Sequence, residues 1–189
     1  NNKILSIKLK NSSSPYELFS VSVKSFAKDS LNLISDSSKE LGNFDSASNL
    51  SKKSIIAWAE GSSGKQDLRV KFYDSANEIW SSLYQISTSS DISNLNASID
   101  NYGGALLSWI EGTELKYSYY TKSSDSWSSA NKIDFSSADY AGLNVKAMGG
   151  GGYVATWLKD DGSGYKFYVN YYTSSLGSSS HFWGMAKAL

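Results

Sequence analysis

The 189-residue chain repeats itself, and this constrains its fold more than any single motif does. Three segments align: IIAWAEG around Trp58, LLSWIEG around Trp109 and VATWLKD around Trp157, with the tryptophans 51 and 48 residues apart. About ten residues after each tryptophan comes a second apolar segment: LRVKFYD, LKYSYYT and KFYVNYYT. A polar turn then leads to another tryptophan (Trp80, Trp127, Trp183) and a last short segment: LYQIS, ANKID and MAKAL. Upstream of Trp157, NVKAMGGGGYVATW aligns without a gap on NASIDNYGGALLSW. The N-terminus carries a weaker copy, in which ILSIKLK aligns on IIAWAEG with Ile7 in the place of Trp58. FSVSVK and LNLIS follow it, and no strand is expected before Ile4.

Side-chain periodicity identifies these segments as strands. Leu68, Val70 and Phe72 alternate with Arg69 and Lys71, and Leu115, Tyr117 and Tyr119 with Lys116 and Ser118. Phe167, Val169 and Tyr171 alternate in the same way with Tyr168 and Asn170. A period of two marks a strand buried on one side. The tryptophan strand, with Leu106, Leu107, Ser108, Trp109 and Ile110, is apolar or small on both faces, as a strand covered on both sides is. No 3.6-residue period with caps is sustained anywhere, so almost no helix is expected.

Consecutive four-stranded antiparallel units of about 40–50 residues are the mark of propeller blades, which bury both faces against their neighbours. The expected fold is therefore all-β: one β-propeller segment over residues 1–189, with blades at 1–43 (partial), 44–91, 92–139 and 140–189. It would form a ring of about four blades or a portion of a larger one. With three strands in the first unit, a second copy or a preceding segment is expected to complete the ring.

The A-x-W-x-x-D/E-G-like strand, the aromatic third strand and the Trp-Ser opening of the fourth resemble the sialidase-like repeats of bacterial surface and secreted propellers. In that family an Asp-box, S-x-D-x-G-x-x-W, precedes the fourth strand. The corresponding turns here read YDSANEIW up to Trp80 and TKSSDSW up to Trp127, which keep the tryptophan and lack the spaced Ser, Asp and Gly. The resemblance implies a propeller and raises glycoside hydrolysis as a function. It also implies three arginines holding a substrate carboxylate, a role suited to planar bidentate guanidinium groups. Arg69 is the one arginine of the chain.

Composition narrows the functions further. Formal net charge is zero, which disfavours nucleic acid as a partner. There are no cysteines and one histidine, so neither disulfides, thiolate sites nor a His-rich metal centre is expected, and no cofactor. No window approaches 18 consecutive apolar residues, so no membrane insertion is expected. Asn1-Asn2-Lys3 carries no leader pattern, so any signal peptide has been removed or lies outside the chain. The 40 serines and absent cysteines suit a secreted or cell-surface protein of bacterial type.

Individual candidates reduce mostly to structure. Trp58, Trp109 and Trp157 are expected to fill the space between blades, and Trp80, Trp127 and Trp183 to pack outer strands. Glu60 and Glu111 match in position, with Lys159 in their place in the last unit. Equivalent carboxylates on successive blades do not converge on one bond, and the following Gly61 and Gly112 suggest turns. Asp160 to Gly164 suggests an Asp-Gly turn, since the bidentate glutamate of a calcium loop is missing. Gly149 to Gly152 leads into a strand where a phosphate loop would lead into a helix, so it too is expected to be a turn. Lys52-Lys53 is a solvated pair, and His181 a turn or surface residue.

These features predict a non-catalytic binding or scaffold module that recognises protein or glycan through rim loops rich in Ser, Asn, Gly and Tyr. No catalytic residue is assigned. Asn96, Ser98, Asp100, Asn144 and Lys146 open their units and are expected to line a polar central channel as ligand contacts. The alternative is the C-terminal part of a sialidase-like glycoside hydrolase whose catalytic residues lie outside this chain.

Overall fold

The structure is a computed structural model and describes residues 4–11, 16–24, 27–35, 38–62, 64–86, 88, 90–174 and 181–189. Every described element is a strand. The first sheet holds β1 (Ile4–Asn11), β2 (Tyr16–Lys24) and β3 (Ala27–Leu33), paired in that order. The second holds β4 (Glu40–Ser48), β5 (Lys53–Ser62), β6 (Lys65–Asp74), β7 (Ile79–Trp80) and β8 (Tyr84–Ile86). The third comprises β9 (Ile92–Ile99), β10 (Ala105–Glu111), β11 (Glu114–Thr121), β12 (Ser126–Trp127) and β13 (Asn131–Lys132). The fourth comprises β14 (Asp139–Ala147), β15 (Tyr153–Asp160), β16 (Tyr165–Ser174), β17 (His181–Trp183) and β18 (Lys187–Ala188). All pairings are antiparallel. Ile7 lies within β1, opposite Ser20, and His181 opens β17.

The outer edge departs from the expected single fourth strand. In the second, third and fourth sheets it is broken into two short strands that both pair with the same neighbour. The residue after the tryptophan explains the break. Ser81 N donates to Phe72 O at 2.8 Å, and Phe72 N donates to Ser81 Oγ at 3.0 Å, so a hydroxyl takes the bond a ladder carbonyl would take. Ser128 does the same for Tyr119. In the last sheet Gly184 has no hydroxyl, and Asn170 substitutes: its Oδ1 accepts from Tyr171 N, and its Nδ2 donates to Gly184 O.

Sheets stack face on face. Ile55, Leu68 and Val70 of the second pack against Leu95, Leu107 and Trp109 of the third. Leu106, Leu115 and Tyr117 of the third pack in turn against Val145, Tyr153 and Trp157 of the fourth. Trp58, Trp109 and Trp157 are fully buried, as expected from the repeat. All seven residues of β10 are buried, because a sheet lies on each side of it. The first strands of the second, third and fourth sheets each carry a bulge at the same repeat position, where Asn94 (φ 49°) and Gly142 (φ 60°) adopt the left-handed conformation that bulges favour.

The one-sided burial expected for β16 is reversed. Phe167 (42% exposed) and Tyr171 (52% exposed) face outward, while Asn170 and Tyr172 are buried. In β6 and β11 the equivalent positions are covered by the next sheet, and among the described residues none lies over the fourth.

Candidate functional site

The first strands of consecutive sheets run side by side, β4 beside β9 and β9 beside β14. Polar side chains tie these seams. Ala97 N donates to Asp45 Oδ2 at 2.9 Å, and at the equivalent repeat position Asn96 Nδ2 donates to Leu143 O at 2.8 Å. Ala147 N donates to Ser98 Oγ at 2.8 Å. Asp100 Oδ1 accepts from Tyr102 N and Gly104 N, and its carbonyl accepts from Asn49 Nδ2.

Of the expected channel residues, Ser98 and Asp100 are buried, with side chains bonded within the seam and the turn. Asn96 is half-buried and engaged, while Asn144 and Lys146 are exposed.

The expected turn is present at Gly112, whereas Gly61 lies within β5; beside these glycines stand Glu60 and Glu111. They are buried in strands and act as acceptors for the repeat tryptophans. Trp58 Nε1 donates to Glu60 Oε2 at 2.8 Å, and Trp109 Nε1 to Glu111 Oε2 at 3.1 Å. Cations balance both: Arg69 Nε lies 2.9 Å from Glu60 Oε1, and Lys116 Nζ 3.1 Å from Glu111 Oε2. Arg69 and Lys116 stand directly opposite Trp58 and Trp109 in register. In the last sheet Lys159 takes the glutamate position and pairs with Asp134 at 3.0 Å, while Tyr168 takes the cation position and stacks on Trp157. The turns read at Asp160–Gly164 and Gly149–Gly152 are present. Asp160 Oδ1 accepts from Gly162 N and Gly164 N, and Met148 N donates to Gly152 O.

The feature best suited to a ligand is a cleft of about 420 Å³ between the second and third sheets. Strand alternation sends Phe72 of β6 and Tyr120 of β11 into it from opposite sides, with ring centroids 4.6 Å apart. Tyr84 of β8 packs edge-on against both, and Trp127 of β12 stacks against Phe72. At the mouth, the Tyr84 and Tyr120 hydroxyls both donate to Asp125 Oδ1, at 2.5 and 2.6 Å. Asp125 holds φ 49° on a tight turn, and Glu78 at the equivalent position before Trp80 holds φ 61°, so the left-handed residue belongs to the repeating turn. Lys53, Asp74 and Lys122 complete the rim, with Lys53 Nζ 3.7 Å from Asp74.

The two hydroxyl donors hold the Asp125 carboxyl below its ordinary range. Burial, followed by the bond to Asp125, pushes both phenols up, so Tyr84 and Tyr120 stay protonated near neutrality. The cleft therefore offers apolar ring faces, fixed hydroxyls, carboxylates and ammonium groups, which is the mixture that orients small polar ligands. Among the described residues no three His, Cys, Asp or Glu side chains gather as metal ligands.

No family model matches this sequence, and no curated protein does either. Among solved structures it is similar to a mutant NanB sialidase from Streptococcus pneumoniae, with a TM-score of 0.54 at 14% identity. The match takes in 92% of this chain and 28% of that one, so the chain spans under a third of the length of its structural neighbour. At this identity the likeness speaks for the fold. It also overturns the expectation that the chain is no enzyme: the structure sharing its fold is a sialidase, and sialidases are enzymes.

Proposed function

We propose that this chain is a β-propeller segment of a sialidase-related protein, and that it binds glycan in the aromatic cleft between its second and third sheets. The carrying observation is the convergence of the Tyr84 and Tyr120 hydroxyls on Asp125, with both rings packed against Phe72 in the cleft. Aromatic faces stack on the C–H faces of pyranose rings, and the fixed polar groups at the mouth meet their hydroxyls. The adjacency of β4, β9 and β14 supports a radial arrangement of blades near 1–43, 44–91, 92–139 and 140–189, the second and fourth starting slightly earlier with β4 at Glu40 and β14 at Asp139, and with Asn144 and Lys146 on the axial strand. A glycan array probed with the whole chain tests the binding. Asp125→Asn and Lys122→Ala should each weaken the retained spots at least fivefold without lowering the melting temperature by more than a few degrees. An array without retained glycans sinks the proposal.

A second reading has its own support. Because the similarity occupies 28% of the neighbouring sialidase, the chain also fits a portion of a larger glycoside hydrolase. Assay of the longest natural polypeptide containing it on a sialoside reporter would decide.

The outward face of the fourth sheet fits the same propeller. We propose that a second copy of this chain covers Phe167 and Tyr171, as the third and fourth sheets cover their equivalents within one chain.

A further inference from the structure

Resting on the glycan proposal, we infer that the site is extended: a β-linked hexopyranose chain of three or more units runs from this cleft into a second one, across Lys122. The second cleft, of about 260 Å³, opens between the third and fourth sheets. Tyr119 and Tyr120 are consecutive on β11 and so project to opposite sides of the strand. Tyr120 joins the cluster between the second and third sheets, and Tyr119 joins the one between the third and fourth. One strand end thus puts a tyrosine into each seam, and Tyr120 and Lys122 line both clefts.

Two further observations mark the second cleft as a binding surface in its own right. Tyr102 is 62% exposed there, although its turn is braced: its amide donates to Asp100 Oδ1 at 2.8 Å, and Asp100 N donates to Gly104 O at 2.9 Å. A bulky ring on a tied backbone, contributing little to the core, is preorganised for contact. Lys122 lies across this turn, for a Cβ at Gly103 would stand 3.0 Å from its Cδ. The ammonium is thereby placed on the ridge between the two clefts.

Volume sets the ligand class. Small-molecule sites usually enclose about 300–1,000 Å³. One cleft sits low in that range and the other falls below it. A single compact sugar would leave one of them empty. A β-linked chain of equatorial pyranoses is a flat ribbon with apolar faces, and it can lay one unit on Tyr120 and Tyr84, bridge Lys122, and lay another against Tyr102.

Calorimetric titration of the whole chain with β-1,4-linked glucose oligomers of one to six units tests this. Affinity should rise at least tenfold between dimer and tetramer and then level off. Tyr102→Ala should erase that gain, so that the tetramer binds the variant no tighter than the dimer does, with a thermal melt close to the parent's. Affinity independent of length, or a Tyr102→Ala tetramer affinity equal to the parent's, overturns the extended site and leaves the one-cleft proposal standing. If the array retains other glycans and no glucose oligomer binds, the ligand class assigned here is overturned. An array and a titration that are both empty remove the two proposals together.

Discussion

Trp58 and Glu60, two residues apart on one strand, are joined side chain to side chain by a 2.8 Å bond from indole Nε1 to carboxylate Oε2. The other carboxylate oxygen lies 2.9 Å from Arg69 Nε. Both charges are buried, so removing Glu60 takes from Arg69 its nearest carboxylate and leaves it Asp67 at 4.0 Å and Gln85. Glu60→Ala should lower stability by about 3–5 kcal/mol in urea denaturation. Glu60→Gln keeps an acceptor for the indole and should lose less. Equal losses for the two variants would show that the charge, and not the indole bond, is what matters.

The Asn170–Gly184 pair replaces the serine device of the earlier sheets. Asn170→Ala should cost about 1–3 kcal/mol, because it leaves the part-buried Tyr171 N and Gly184 O without their side-chain partner. The double change Asn170→Ser with Gly184→Ser rebuilds the arrangement of Ser118 and Ser128 and should recover most of that loss. A double-mutant cycle showing simple additivity would mean the two positions do not exchange roles.

Alkaline titration should expose the clefts. Burial, followed for Tyr120 and Tyr84 by the bond to Asp125, raises the phenol pKa values above the ordinary value of about 10. Tyr153 is raised too, by burial first and then by Asp100. A raised folded pKa means the folded chain binds more protons than the unfolded one. This stabilisation is complete below pH about 10 and is lost as pH climbs towards the folded values. Phenolate absorbance should therefore appear in two phases, the late one coinciding with unfolding. Asp125→Asn should shift the onset of the late phase downward, and an unchanged onset would mean that burial alone holds these phenols.

The uncovered fourth sheet predicts association. Light scattering of the whole chain should give a particle heavier than the 20.6 kDa monomer, and Tyr171→Glu should dissociate it. A monomer whose unfolding is cooperative and independent of concentration would exclude a second copy.

Much of the fold was legible because packing residues recur wherever sheets stack. Trp58, Trp109 and Trp157 must each fill the same gap, and the chain spells that requirement three times. The reversed face of β16 was not legible, since alternation reveals two faces without saying which has a neighbour. Glu60 was misread because Glu-Gly looks like a turn, and only the register with Arg69 shows a buried acceptor. The cleft was least visible. Tyr84 and Asp125 are 41 residues apart, and although Asp125 repeats the acidic position of Glu78 two residues before the tryptophan, nothing in the repeat places it beside Tyr84. Tyr102 and Lys122 are ordinary turn residues until the fold lays one beside the other.

The glutamate-to-lysine exchange in the last sheet has a spectroscopic consequence. Trp157 Nε1 is buried without a hydrogen-bond partner, whereas Trp58 and Trp109 each donate to a carboxylate. An indole deprived of a polar partner in a dry setting emits at the blue end of its range. Nε1 of Trp127 in the third sheet is also buried and unpartnered, so once that residue is replaced by phenylalanine, fluorescence along an unfolding transition would carry a separate colour for the fourth sheet. Its loosening could be timed apart from that of the other two without introducing any foreign dye.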